Sequence, residues 1–171
     1  MQESDRMKGI FFFLISLSLA QILYAQTLSS FQFGTAQTKG SNAGSFSSTY
    51  IGYDAFLQTN DYSYIGYGVD VVYLGATTQN YSTHYSYILG TQIKYLYNLE
   101  RFLHHQTYIK VALGYGVTRY ITTNYWGIQY ATTLETKIYK NFALGYTYKT
   151  SATSSSLGDL STSMLYLQIE L

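Results

Sequence analysis

The stretch from Tyr62 to Gly75 alternates in side-chain character with a period of two residues. Its first face collects Ile65, Tyr67, Val69, Val71 and Tyr73. Its second face collects Gly66, Gly68, Asp70 and Val72. A period of two is typical of a β-strand, in which successive side chains point to opposite faces. The stretch therefore predicts a strand with one broad apolar face and one small face that carries a charge.

The same alternation recurs along the chain and predicts eight strands. They span Ser29–Gln37, Ser45–Gln58, Tyr62–Gly75, Tyr85–Tyr97, Thr107–Tyr120, Tyr125–Tyr139, Phe142–Thr150 and Ser161–Leu171. The segments between them are rich in the Gly, Asn, Asp and Ser of turns. An even number of antiparallel neighbours predicts an all-β fold, an eight-stranded antiparallel up-and-down β-barrel. The strand lengths match about 10 residues for each tilted membrane crossing.

One phase of the alternation carries both the charges and most of the strand glycines. Eight charged residues share this phase: Asp54, Asp70, Lys94, Lys110, Glu135, Lys137, Lys149 and Glu170. A face that is charged and also built from glycine suits the crowded polar interior of a narrow barrel. We therefore expect a transmembrane barrel with its apolar side chains toward lipid and a lumen plugged by paired charges. A narrow channel is the alternative interpretation of the same lumen.

A soluble barrel with an apolar ligand cavity would place these faces the other way round. It would expose the glycines and the eight charges to water. Charged residues make up only 11% of the chain, whereas they are about 25% of ordinary soluble domains. Such a water-facing surface would be unusually short of Lys and Glu, so the pattern favours the membrane barrel.

The remaining composition narrows the functional classes. The formal net charge of +1 gives no electrostatic reason to expect nucleic acid as a partner. The chain has no Cys, so it has neither disulfides nor thiolate metal sites. We expect no cofactor.

The first 25 residues are predicted to be a signal peptide. Arg6 and Lys8 precede an apolar run from Ile10 to Tyr24, and Ala25 supplies a small residue before the expected cut. About 15 residues at 1.5 Å each fall short of the ~30 Å hydrocarbon core, which disfavours a membrane-anchor helix. We therefore divide the chain into a signal peptide at 1–25 and a β-barrel at 26–171. Either Met1 or Met7 could be the start of translation.

The chain resembles the small OmpA/OmpX-like outer-membrane β-barrels of Gram-negative bacteria. The resemblance rests on the signal peptide, the eight alternating segments and the final strand SMLYLQIEL. It implies export through the periplasm to the outer membrane, contact with lipid and lipopolysaccharide, and a monomer. It also implies recognition of the C-terminal strand by the barrel-assembly machinery, although the last residue here is Leu171 where the family usually has Phe or Trp.

The topology implied by this resemblance also orients the barrel. Both chain termini and the turns at 60–61, 98–106 and 140–141 would face the periplasm. The connections at 39–44, 76–84, 121–124 and 151–160 would face outward from the cell.

The candidate chemistry is sparse, so we expect a structural or surface-interaction role and no enzyme. His84 lies near Ser82 and Ser86, as a hydrolytic site would require, but the acids fall on other segments. The adjacent His104 and His105 lack the further ligands of a metal site. A lipid-modifying outer-membrane enzyme that uses His84 is the alternative.

Overall fold

The computed structural model describes residues 27–41, 44–79, 82–153 and 158–171. The predicted signal peptide lies outside these residues. Eight strands and one short helix follow in order: β1 Thr27–Gly40, β2 Gly44–Asn60, β3 Ser63–Gln79, β4 Ser82–Asn98, α1 Glu100–Leu103, β5 Thr107–Tyr120, β6 Thr123–Tyr139, β7 Phe142–Thr153 and β8 Leu160–Glu170. No helix in the described ranges is long and apolar enough to span a membrane.

The strands form one closed antiparallel barrel in which each strand pairs with its neighbours in sequence. Closure comes from β1 and β8, which pair from Ser30 opposite Glu170 to Gly40 opposite Leu160. The predicted eight-stranded up-and-down β-barrel is confirmed. We call the end of the barrel that holds the start of β1 and the end of β8 the terminal end, and the opposite end the distal end.

The strands extend further toward the distal end than the sequence predicts. The segment from Ala76 to His84, predicted to be a loop, belongs largely to β3 and β4, where Thr77 lies opposite His84. Gly75 makes this extension feasible, because its φ of 123° accommodates the register shift between Tyr73 and Gly75. Only glycine adopts such a φ readily, so the ladder continues past the irregularity.

The alternation of faces follows the predicted phase. Large apolar side chains on the outside are exposed, among them Phe33 at 47%, Leu113 at 64% and Ile128 at 55%. The predicted lumen residues are buried, and Asp54 and Lys149 have no measurable exposure. The barrel is therefore apolar on the outside and polar in its middle, the reverse of a soluble barrel.

Two apolar clusters lie above and below the polar middle of the lumen. The terminal-end cluster consists of Phe56, Leu96 and Tyr108, with Leu28 and Tyr64 packed against it. The distal-end cluster consists of Ala36, Tyr50, Val72, Leu74, Ile88, Leu160, Met164 and Tyr166. Each of these residues occupies the inward phase of its strand, so the lumen is layered along its axis as apolar, charged and apolar.

Candidate functional site

The candidate site is a network of charged side chains in the middle of the lumen, held by strands on all sides of the barrel. Asp54 on β2 forms its centre. Its Oδ1 accepts a hydrogen bond from Lys94 Nζ at 2.5 Å, and its Oδ2 accepts one from Gln32 Nε2 at 2.7 Å. Lys110 Nζ lies 3.5 Å from the same Oδ2. One carboxylate therefore joins β1, β2, β4 and β5.

Lys110 continues the network to the other side of the lumen. Its Nζ donates to Glu135 Oε2 at 2.7 Å and to Gln168 Oε1 at 3.0 Å. Glu135 also accepts from the hydroxyl of Tyr166 at 2.9 Å and from Gln168 Nε2 at 2.8 Å. A buried ion pair is favourable only when hydrogen bonds satisfy the remaining donor and acceptor atoms, and these contacts meet that condition.

A second branch lies beside the first. Lys149 Nζ donates to Asp70 Oδ1, and Gln92 Nε2 donates to Asp70 Oδ2 at 3.1 Å. Asp70 thus lies in the lumen next to a lysine. Together with the first branch, three carboxylates face three ammonium groups, so the charges in this layer balance.

The last two predicted residues form a separate pair at the terminal end. Lys137 Nζ lies 2.6 Å from Glu170 Oε2, with side-chain exposures of 25% and 10%. The structure thus brings six of the eight predicted residues together in the middle of the lumen and places two at its end. We call the six, Asp54, Asp70, Lys94, Lys110, Glu135 and Lys149, the charge belt.

Glycines supply the space for the long side chains of the charge belt. A Cβ added to Gly68 would lie 2.5 Å from Cε and 2.7 Å from Nζ of Lys94. A Cβ on Gly90 would lie 2.9 Å from Nζ of Lys149. Real Cβ atoms do not approach other atoms this closely, so each lysine reaches its carboxylate across a glycine, and a larger residue there would displace the end of the lysine side chain.

Two hydroxyl groups of the network were not predicted from the sequence. Tyr50 donates to Gln32 Oε1 at 2.5 Å, and Tyr166 donates to Glu135. Both lie on the inward phase of their strands among glycines and charges, and this phase was the signal that could have identified them. The composition hid them, because most of the 21 tyrosines are ordinary strand residues.

A small cavity lies beside the charge belt. A cavity of about 10 Å³ lies between Gln32, Tyr50, Asp54 and Lys94 on one side and Thr133 and Met164 on the other. A single buried water needs a cavity of about 10–15 Å³. This cavity therefore has room for one water molecule at most.

The three predicted histidines lie apart from the charge belt, on β4 and after α1. His84 lies on β4, and the Oγ of nearby Ser86 accepts a hydrogen bond from the backbone N–H of Ile121 at 3.0 Å. His104 and His105 are exposed beyond α1. Within the described ranges, no three His, Cys, Asp or Glu side chains are grouped so that they could hold a metal ion.

Comparison with known proteins establishes the fold. No family model and no curated protein sequence matches the chain. Among solved structures, the attachment invasion locus protein Ail of Yersinia pestis is similar with a TM-score of 0.64 and 10% identity, over 85% of this chain and 97% of that chain. Neisserial surface protein A has a TM-score of 0.60 and 12% identity, over 85% and 96%.

A third structure, the outer membrane protein OprG of Pseudomonas aeruginosa, has a TM-score of 0.51 and 8% identity, over 86% of this chain and 96% of that chain. All three similarities extend over nearly the whole of the compared barrels. The chain therefore has the fold of a small OmpA/OmpX-like eight-stranded outer-membrane β-barrel, as the sequence predicts.

Proposed function

We propose that this chain is an integral outer-membrane β-barrel protein with a structural or surface-interaction role. The observation that carries the proposal is the sidedness of the closed barrel. Leu113 and Ile128 are more than half exposed on the outside, while Asp54 and Lys149 are fully buried within. In water this arrangement would expose a broad apolar surface, whereas in a bilayer the same surface meets hydrocarbon.

The proposed orientation places the terminal end in the periplasm. The connections at this end are the turn after Asn60, the segment with α1, and the turn at Lys140 and Asn141. Strand β8 ends here, and the backbone N–H of Leu171 donates to Ser29 O at 2.9 Å. The alternating β8 and the residue that follows it would present the assembly machinery with the outward side chains of Leu165 and Leu171, which are 52% and 69% exposed.

The proposed lumen is plugged and conducts no large current. The three acids and three lysines of the charge belt neutralise one another, and the two apolar clusters lie above and below them. An ion that crossed the lumen would have to separate hydrogen-bonded pairs such as Lys94–Asp54, 2.5 Å apart, in a medium where unpaired charge is costly. We infer that the barrel interior stabilises the fold and that interaction with partners outside the membrane takes place at the distal surface.

Two measurements test these proposals separately. The purified outer-membrane fraction should contain a folded form that migrates faster in SDS gels before boiling than after. Its absence from that fraction would overturn the membrane assignment. In planar bilayers the wild-type barrel should show no stable large conductance, and a steady open channel would overturn the plugged lumen while leaving the location intact.

The surface role is tested against an enzymatic one at the distal end. Replacing His84 by Ala should leave the mass profile of lipid A in the cells unchanged. Exchanging Ile121–Asn124 for an unrelated turn should alter the binding of surface partners and leave the barrel folded. A changed lipid A profile in the His84→Ala strain would instead favour a lipid-modifying enzyme.

A further inference from the structure

The outward face of the barrel differs between its two sides. On β3, β5 and β6, exposed apolar side chains continue toward the distal end as far as Tyr73, Tyr115 and Trp126. On β1, β2 and β8 they stop earlier, at Phe33, Ile51 and Leu165. The outward positions beyond them are polar: Thr35, Gln37, Lys39, Ser45, Ser47, Thr49, Ser161 and Ser163. We call these eight residues the seam patch.

The seam patch is continuous across the junction where the barrel closes. Gln37 on β1 lies opposite Ser47 on β2 and opposite Ser163 on β8. Thr35 lies opposite Thr49 in the next outward pair. The members on β1 and β2 are exposed and those on β8 half-exposed, so they form one accessible surface.

The register of the strands gives the height of this patch along the barrel axis. The row of paired residues that starts at Thr35 reaches Arg119 on β5 by way of β2, β3 and β4. In the other direction, through β8, β7 and β6, the same row reaches Ile109 on β5. These two residues are ten positions apart on β5. Over the eight strands, a row of paired residues therefore shifts along the strands by about 1.25 positions per strand, relative to a circle drawn around the barrel at constant height.

When the row that contains Gln37 is corrected by this shift, Gln37 lies at the same height along the barrel axis as Tyr73, Leu89 and Ile128. The seam patch therefore occupies a depth at which the other side of the barrel presents apolar side chains to its surroundings. It is not simply the part of the strands that emerges from the membrane.

The difference in apolar height is large on the scale of a bilayer. Outward apolar residues on β4 reach from Tyr97 to Tyr85, twelve positions apart and interrupted only by Thr91, whereas those on β2 reach from Leu57 to Ile51, six positions apart. At about 3.3 Å per residue and a tilt of about 40°, these spans rise about 30 Å and about 15 Å. An outer-membrane barrel ordinarily presents an apolar band about 25 Å tall.

Lipid by itself is a poor partner for the seam patch. Acyl chains offer no hydrogen bonds to the hydroxyl and carboxamide groups, and thinning the bilayer by about 10 Å along this side is unfavourable, with a cost that rises with each Å of mismatch. A hydroxyl or a carboxamide can both donate and accept hydrogen bonds. Apart from Lys39 at its distal edge, the seam patch consists of such groups and is complementary to itself, which is the requirement for a two-fold symmetric interface.

We propose that the seam patch is the interface through which two copies of this chain associate side by side in the membrane. The two copies would place Gln37 and its neighbours face to face around a two-fold axis along the membrane normal. Each patch would then be covered at the depth where its own side lacks apolar side chains. The inference rests on the proposed membrane location, and it differs from the monomer expected from the sequence, which stays a prediction.

Cysteine cross-linking in native outer membranes tests this interface, and the chain has no Cys of its own. The variants are Gln37→Cys, Ser47→Cys and Ser163→Cys, oxidised with copper phenanthroline. At least one should yield a species of twice the chain mass that thiol reduction removes. The matched control is Ile128→Cys, which lies at the same height on the opposite side and should remain monomeric.

Three results would overturn the proposal. They are no dimer from any seam-patch variant, equal dimer yields from Ile128→Cys, and an adduct whose mass shows a different protein. Failure of the membrane assignment itself would appear separately, as the loss of heat-modifiable migration in the same fractions.

A disrupting variant provides the second measurement. Gln37→Leu combined with Ser47→Leu, in the Ser163→Cys background, completes the apolar band and should lower the cross-linked fraction at least tenfold relative to Ser163→Cys alone. Heat-modifiable migration should be retained, because these side chains lie outside the lumen. An unchanged cross-linked fraction would show that the polar groups do not hold the copies together.

Discussion

Lys149 on β7 donates a hydrogen bond to Asp70 on β3, although the two residues lie 79 positions apart in the sequence. The side chain of Lys149 is fully buried and that of Asp70 is 5% exposed. The pair spans the lumen between strands that share no edge. The strands are therefore connected by side-chain ion pairs across the lumen as well as by backbone hydrogen bonds between neighbours in the wall.

Replacing Asp70 by Leu should lower the free energy of unfolding by about 3–5 kcal/mol, because it leaves a buried ammonium group without its carboxylate. The double variant Asp70→Leu with Lys149→Met should recover most of this loss. The measurement is denaturant unfolding in lipid vesicles. A cost below about 1 kcal/mol for the single variant would show that water reaches Lys149 and would contradict the plugged lumen.

Replacing Gly68 by Ala should lower the free energy of unfolding by about 1–3 kcal/mol, the usual cost of overpacking an interior. The new Cβ would lie 2.7 Å from Nζ of Lys94 and displace that lysine from Asp54. Val69→Ala is the matched control, since Val69 is the next residue and is 38% exposed on the outside. Equal effects of the two substitutions would contradict the role assigned to Gly68.

Replacing Phe56 by Ala should lower the free energy of unfolding by about 3–5 kcal/mol, the range for truncating a buried aromatic side chain. Phe56 is 1% exposed in the terminal-end cluster, and its ring centroid lies 5.5 Å from Nζ of Lys110. Phe33→Ala is the comparison, because Phe33 faces outward. A larger loss from Phe33 than from Phe56 would contradict the apolar closure of the lumen.

Replacing Ile121 by Gly should raise the free energy of unfolding by about 0.5–1 kcal/mol, because relief of the left-handed strain exceeds the entropy that glycine loses on folding. Ile121 has a φ of 57° in the turn between β5 and β6, a conformation that is unfavourable for a β-branched residue. Glycine adopts it without strain and keeps the N–H that donates to Ser86 Oγ. Thr122→Gly, in the same turn, should not stabilise the barrel, and a shared gain would contradict relief of strain as the cause.

The sequence alone determined the strands, their number and the direction of their faces. Alternation has a fixed period of two, so the phase of Asp70 relative to Val69 and Val71 needed no tertiary information. The shared phase of glycine and charge further identified which face was inside. The distal ends of β3 and β4 were missed because their Thr, Gln and Ser residues are typical of loops as well, and only the continued pairing past Gly75 extends the strands.

Only the tertiary structure decided which charges pair. Asp54 could have joined any lysine on its phase, and its selection of Lys94 and Lys110 depends on the stagger of ten positions around the barrel. The same stagger determines which outward residues share a height, and so sets the seam patch level with Ile128. The sequence of a strand determines which face each side chain takes. The height of a residue relative to residues on the other strands is defined only when the barrel closes.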